Sequence, residues 1–318
     1  MLRLQKSILI VLSFTLSACS QKLIITIDAT APTPVASATP WVAGTEMALA
    51  SPTAVPTLPP LYTFTPVPME KPTDFSPVLY GGKFYQTTFF LLLGGVSRDA
   101  WLAPDMSVAR FAGETTYSLH TMEYEDKYFL WGKAPKFSPI CKTYSVGTDA
   151  DPNEAGMVAV MDGWNVTKRV ATELSADNQF YQQVVLDWLT AEGVPAPQVD
   201  SLHVYRVDIE GDGANEIFIN ATHLDGSGHG TKAGDYSIIL MRKVAGNDAV
   251  TTLVVGDVYR SKEIEMTFPR AYSLANFIDL NQDGILEVIV DIQKWEGFGA
   301  VIYQIDGRNA IQSLRSEC

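Results

Sequence analysis

The chain is poor in the residues that most enzymes and nucleic-acid binders depend on. It has 318 residues but only 4 histidines and 3 cysteines. No His-Glu-x-x-His, Cys-x-x-Cys or Gly-x-Ser-x-Gly occurs, which excludes the common zinc-hydrolase, dithiol and nucleophile-elbow signatures. The glycine-rich stretch Gly226–Lys232 lacks Gly-Lys-Ser/Thr, so it is not a phosphate cradle of the P-loop type. Positive charge is scarce: 23 Lys and Arg stand against 36 Asp and Glu, a net charge of −13. Such a surface repels nucleic acid, whose binding depends on neutralising phosphates, so none is expected as a partner. No apolar run is long enough to span a bilayer. Carboxylates are abundant, yet nothing in the sequence singles out a catalytic pair of the glycosidase kind. His223, Asp225, His229 and Asp235 can converge on a transition metal, but a hairpin loop is the simpler reading.

What is present begins with an export signal over residues 1–18. Arg3 and Lys6 supply the charged region, Ile8 to Leu16 a short apolar core, and Leu16-Ser17-Ala18-Cys19 a lipobox. The pattern resembles bacterial lipoprotein signals, which implies cleavage before Cys19 and lipidation of its thiol. That would make the membrane a partner through Cys19 and place the protein in the cell envelope. Residues 19–77 read as a disordered tether: eleven of the 18 prolines fall between 28 and 77, among Thr, Ala and Ser. Such a composition cannot build a core, and about 50 residues of it would span about 40 Å as a coil.

Two nonapeptides organise the remainder. Asp208-Ile209-Glu210-Gly211-Asp212-Gly213-Ala214-Asn215-Glu216 and Asp279-Leu280-Asn281-Gln282-Asp283-Gly284-Ile285-Leu286-Glu287 carry oxygen side chains at positions 1, 3, 5 and 9 and glycine at position 6. Alternating Asp and Asn on a tightly curled backbone suit a hard cation, and Gly213 or Gly284 permits the curl that offers the carbonyl of Ala214 or Ile285. Two Ca²⁺ sites are therefore expected, with Asp208, Glu210, Asp212, Ala214 and Glu216 in one and Asp279, Asn281, Asp283, Ile285 and Glu287 in the other. Position 12, where an EF-hand has its bidentate Glu, is Ile219 or Val290, and strand-like runs flank both loops.

At these residues the chain resembles the FG-GAP/VCBS-type repeats, the calcium-loop β-repeats of integrin α-chains and many exported bacterial proteins. Glu210 departs from their pattern, since a longer acid stands where Asp or Asn is usual. The resemblance covers roughly residues 199–306 and implies architecture and metal binding rather than an activity. The C-terminal half is also similar to that of uncharacterised exported bacterial lipoproteins with paired loops.

The expected fold class is mainly β (α+β). Residues 78–198 read as an N-terminal β-rich part, globular from about Lys83, with strands at Tyr85–Val96, Thr115–Thr121, Tyr128–Lys133 and Met157–Met161. It carries one amphipathic helix over Ala176–Ala191, capped by Ser175. Residues 199–318 read as two units of four antiparallel strands resembling propeller blades, each with its calcium loop at the first turn. Trp295 and Phe298 flank a tight turn that can face a sugar ring or pack inward. With Cys19 taken by the lipobox, Cys141 and Cys318 remain and are expected to form a disulfide in an oxidising compartment. The function expected is a lipid-anchored calcium-binding module that binds an envelope protein or a glycan, or acts structurally. The alternative is an exported hydrolase with structural calcium.

Overall fold

Runs of Val, Ile, Leu, Tyr and Phe broken by Gly, Asp and Asn fold here as antiparallel strands, because their side chains suit a pleated surface. The computed structural model describes residues 74–318 apart from 85–86, 112, 123–127, 150–155, 225–229, 246–247 and 262–267. The signal segment, Cys19, the tether up to residue 73, and Asp225 and His229 lie outside the described residues.

The first sheet takes β1 (Ser76–Phe84), β2 (Thr87–Val96), β3 (Trp101–Leu102), β4 (Thr115–His120), β5 (Tyr128–Gly132), β6 (Lys136–Ser138), β7 (Thr143–Val146) and β8 (Met157–Met161). Their order across the sheet is β5-β4-β8-β1-β2-β7-β6, with β3 against β2, and the short helix α1 (Pro104–Val108) follows β3. β1 is not among the strands the sequence suggests, and Phe75, Val78, Leu79 and Tyr80 are buried well before Lys83. Two further short strands cross from one sheet to another: β9 (Thr167–Lys168) and β10 (Thr172–Leu174). Helix α2 (Gln179–Ala191) then starts three residues later than expected. Its cap is Asn178, whose side chain accepts the Phe180 N–H at 3.0 Å, and not Ser175.

The two loop-bearing units each form a four-stranded antiparallel meander, as the sequence suggests. β11 (Ser201–Val207), β12 (Glu216–His223), β13 (Tyr236–Ala245) and β14 (Asp248–Val258) follow one another, with β10 on the free edge of β11. β15 (Ala271–Asp279), β16 (Glu287–Lys294), β17 (Gly297–Asp306) and β18 (Asn309–Glu317) do the same, with β9 on the edge of β15. The first loop joins β11 to β12, and the second joins β15 to β16.

The β15–β18 sheet is covered on both faces. Alternate residues of a strand point to opposite sides: Val288, Val290 and Ile292 join Val207, Phe218 and Ile239 of the β11–β14 sheet in one core. Ile289, Ala300 and Ile302 join Val78, Leu91 and Val160 of the first sheet in another. A bulge between Leu274 and Asn276 lets β15 serve both cores, with Phe277 on one side and Ala275 and Ile278 on the other. The outer face of the β11–β14 sheet is covered by Val185 and Leu189 of α2. The layers thus run first sheet, β15–β18, β11–β14, α2. Cys141, in the turn after β6, is bonded to Cys318 at the end of β18, with Cα atoms 4.6 Å apart.

Candidate functional site

Both loops close through the same local bonds. The Asp at position 1 accepts backbone N–H groups from within its own turn: Asp208 from Gly211 (2.6 Å), Asp212 (3.2 Å) and Gly213 (3.0 Å), and Asp279 from Gln282 (2.7 Å) and Gly284 (3.1 Å). The Asp at position 5 accepts the N–H of position 7, from Ala214 to Asp212 and from Ile285 to Asp283, both at 2.8 Å. The Glu at position 9 reaches back to the N–H of position 2: Ile209 donates to Glu216 at 3.0 Å and Leu280 to Glu287 at 2.7 Å. Gly213 and Gly284 sit at φ 89° and 90°, a region that any Cβ would strain, which explains the glycine at position 6. In the second loop the Asn281 amide also donates to Asp283 at 2.8 Å.

The electrostatic settings differ. In the second loop Asp279, Asn281 and Glu287 are 3%, 6% and 1% exposed. Among the described residues no Lys, Arg or His forms an ion pair with Asp279, Asp283 or Glu287. Burial, reinforced by the charges of Asp283 and Asp279, pushes the Glu287 carboxyl up to about 8. Burial raises Asp279 too, against the pull of its N–H bonds from Gly284 and Gln282. In the first loop, position 1 is half-buried. Desolvation raises Asp208, but N–H bonds from Gly213, Gly211 and Asp212 and the Arg169 charge together outweigh it, so its carboxyl lies below the ordinary range. Lys243 on β13 lies among the acids there, its Nζ 2.5 Å from Glu210 and 3.6 Å from Glu216. Burial raises Glu216, with the N–H of Ile209 and the Lys243 charge acting against the rise.

One residue with no motif around it holds the loops together. The segment from β9 to β10 passes from the edge of one sheet to the edge of the other, and half-buried Arg169 lies on it. Its guanidinium donates to the carbonyls of Ile209 (2.7 Å) and Asp208 (3.2 Å) in the first loop and of Gly284 (2.7 Å) in the second. The Leu286 N–H bonds directly to the Ile209 carbonyl at 3.0 Å, so the loops lie side by side. Trp164 closes the second loop from the other side, its indole N–H donating to the Leu280 carbonyl at 2.8 Å. Neither Arg169 nor Trp164 carries a sequence signal; only the strand pairing brings them here.

No group of three or more His, Cys, Asp and Glu side chains among the described residues is placed to hold a metal by itself. The second loop places Asp279, Asn281, Asp283 and Glu287 on one turn but does not converge its three carboxylates into such a group. Other candidates resolve differently. His223 pairs with Asp200 at 2.8 Å and Asp235 accepts the Lys232 N–H at 2.8 Å. Phe298 is fully buried, whereas Trp295 is 51% exposed, so the turn between them packs only one of its aromatics inward. A pocket of about 400 Å³ beside the disulfide is lined by Asp105, Phe137, Tyr144, Arg315 and Glu317, among others. Glu317 would rise on burial, but bonds from Lys294 and Arg315 hold its carboxyl below the ordinary range, the wrong direction for a general acid. No helix among the described residues is long and apolar enough to cross a membrane.

No protein family, no characterised protein and no solved structure matches the chain. None of these comparisons identifies an FG-GAP/VCBS-type repeat.

Proposed function

We propose that the protein is a calcium-binding module of the cell envelope, with the ion seated in the Asp279–Glu287 loop and the chain tethered to a membrane through lipidated Cys19. The observation that carries the calcium reading is the pair of buried acids, Glu287 and Asp279, gathered with Asp283 without a cationic partner. Burying carboxylates without a counter-charge is costly, and a bound divalent cation offsets that cost. Asp279, Asn281, Asp283 and Glu287 would supply side-chain oxygens and Ile285 a carbonyl; the ion itself would contribute charge neutralisation and a rigid turn. The stacked four-stranded units, each with its loop at the first turn, support a blade-like repeat of the FG-GAP/VCBS kind. The module then presents its exposed surface, Trp295 included, to an envelope protein or a glycan. Melting of the full chain in excess Ca²⁺ and in chelator tests the calcium reading: a higher Tm with Ca²⁺ supports it, and identical curves refute it. Fractionation of a Cys19→Ser variant tests the anchor, since that variant must leave the membrane fraction.

A further inference from the structure

We infer that Lys243 is the resident cation of the first loop, and that this loop takes no calcium while Lys243 stands in it. The inference refines the calcium reading of the second loop and rests on it only for the contrast between the two.

The argument begins with strand register. β12 pairs with β13 so that Ile217 faces Arg242, and one step further along the ladder Glu216 stands opposite Lys243. β16 pairs with β17 so that Val288 faces Tyr303, and the same step sets Glu287 opposite Gln304. Glu216 and Glu287 hold position 9 of their loops, so Lys243 and Gln304 occupy equivalent places in the two units. One is a cation and the other is neutral.

The side chains follow that difference. The Lys243 ammonium touches Glu210 at 2.5 Å and lies 3.6 Å from Glu216, whose side chain is 2% exposed. Gln304 makes no such link; its Oε1 accepts the Ser313 hydroxyl at 2.9 Å. Position 3 matches this arrangement. The first loop has Glu210, one methylene longer than the Asn281 of the second loop, and that reach takes its carboxylate to the lysine on the neighbouring strand. An ammonium is a compact charge with three donors, so it can satisfy several carboxylate oxygens at once. The acids it engages are two of the four side chains that calcium would need. A divalent ion entering the first loop would have to break a partly buried ion pair and leave the ammonium without its partners.

Calorimetric titration of Ca²⁺ into the metal-free full chain tests this with four proteins. The expected stoichiometry is one for the natural chain, none for Asp283→Ala, two for Lys243→Gln, and none for Gln304→Lys, which places the first loop's cation in the second. A natural chain that binds two ions overturns the inference and leaves the calcium reading standing, as does a Lys243→Gln chain that gains no site over a natural chain binding one. A natural chain that binds none while Lys243→Gln binds one supports the inference and removes the calcium reading. No binding in either overturns both. If Lys243→Gln fails to fold, Gln304→Lys decides: loss of the natural site supports the inference, and undiminished binding overturns it.

Discussion

Asp208 and Asp279 open two copies of one nonapeptide, accept the same kind of N–H bonds from their own turns, and have carboxyls shifted in opposite directions. The cause is the place of each loop in the stack. The β15–β18 sheet lies between two others, so Asp279, Asn281 and Glu287 of its loop are buried, although Asp283 and Gly284 at its tip are exposed. The β11–β14 sheet lies further out, and its loop stays open at Asp212, Gly213 and Ala214, with Lys243 answering the acids that are buried. On the calcium reading proposed above, the same local sequence gives a site for an external cation in one layer and a self-neutralised turn in the other. A nonapeptide fixes the shape of a metal loop, while its neighbours decide whether a metal is required.

The comparison can be broken most forcefully at the disulfide, which ties the central sheet to the first and leaves the β11–β14 sheet free. Cys318→Ser opens a cross-link spanning 177 residues, and the chain-entropy argument puts the loss at up to about 5 kcal/mol. Chemical denaturation measures the loss. Amide exchange in the same variant should rise over 280–287 more than over 209–216; an equal rise in both would mean that the tie does not act through the central sheet.

Calcium comes next. At a hundredfold excess over its Kd, one site stabilises the fold by about 2.7 kcal/mol. Calorimetric melting should show that gain in the natural chain, its loss in Asp283→Ala, and its retention in Asp212→Ala. A gain lost only with Asp212→Ala would reverse the assignment of the two loops. Arg169→Ala is smaller in effect. It strips a charged donor from the carbonyls of Asp208, Ile209 and Gly284, worth roughly 1–3 kcal/mol, and it should lower Tm in both chelator and Ca²⁺. A shift within about 0.5 kcal/mol would place Arg169 with ordinary surface substitutions.

The smallest effect is a pH slope. Glu287 has a folded-state carboxyl raised from 4.5 to about 8. The native chain therefore keeps a proton that the unfolded chain releases, and stability drains away as pH rises through that window. In chelator the slope should be negative from pH 5 to 8, with a ceiling of about 1.4 kcal/mol per pH unit for one full proton. Glu287→Gln should flatten it, and saturating Ca²⁺ should flatten it in the natural chain, because the ion takes the proton's place. Glu216→Gln should change the slope less, since Lys243 opposes the rise there. Urea titrations at pH 5, 6, 7 and 8 read all three.

Much of this was legible in the sequence because it is local. The two loops, the four-stranded units around them and the lone amphipathic helix each announce themselves within about twenty residues. Pairing Cys141 with Cys318 needed only elimination. What escaped depends on contacts far apart in the chain. β1 begins before Lys83, where the globular part is expected to start, and its glycines serve packing: a Cβ on Gly82 would lie 2.0 Å from the Phe298 ring, and one on Gly81 2.9 Å from Phe90. Lys243 carries no signal of its own until the register with Glu216 is known. Arg169 lies in an irregular crossing segment, and its three carbonyl partners stand 39, 40 and 115 residues away.

The most direct test of the central claim uses Trp164, which is 4% exposed and bonded to the Leu280 carbonyl inside the second loop. Tb³⁺ is an oxygen-seeking ion that replaces Ca²⁺ and emits when a nearby indole transfers its excitation. Added to the metal-free full chain under indole excitation, it should give sensitised emission that Ca²⁺ competes away. That emission should disappear in Trp164→Phe and in Asp283→Ala and persist in Asp212→Ala. Emission that survives Asp283→Ala, or none from the natural chain, would contradict a calcium site in the second loop.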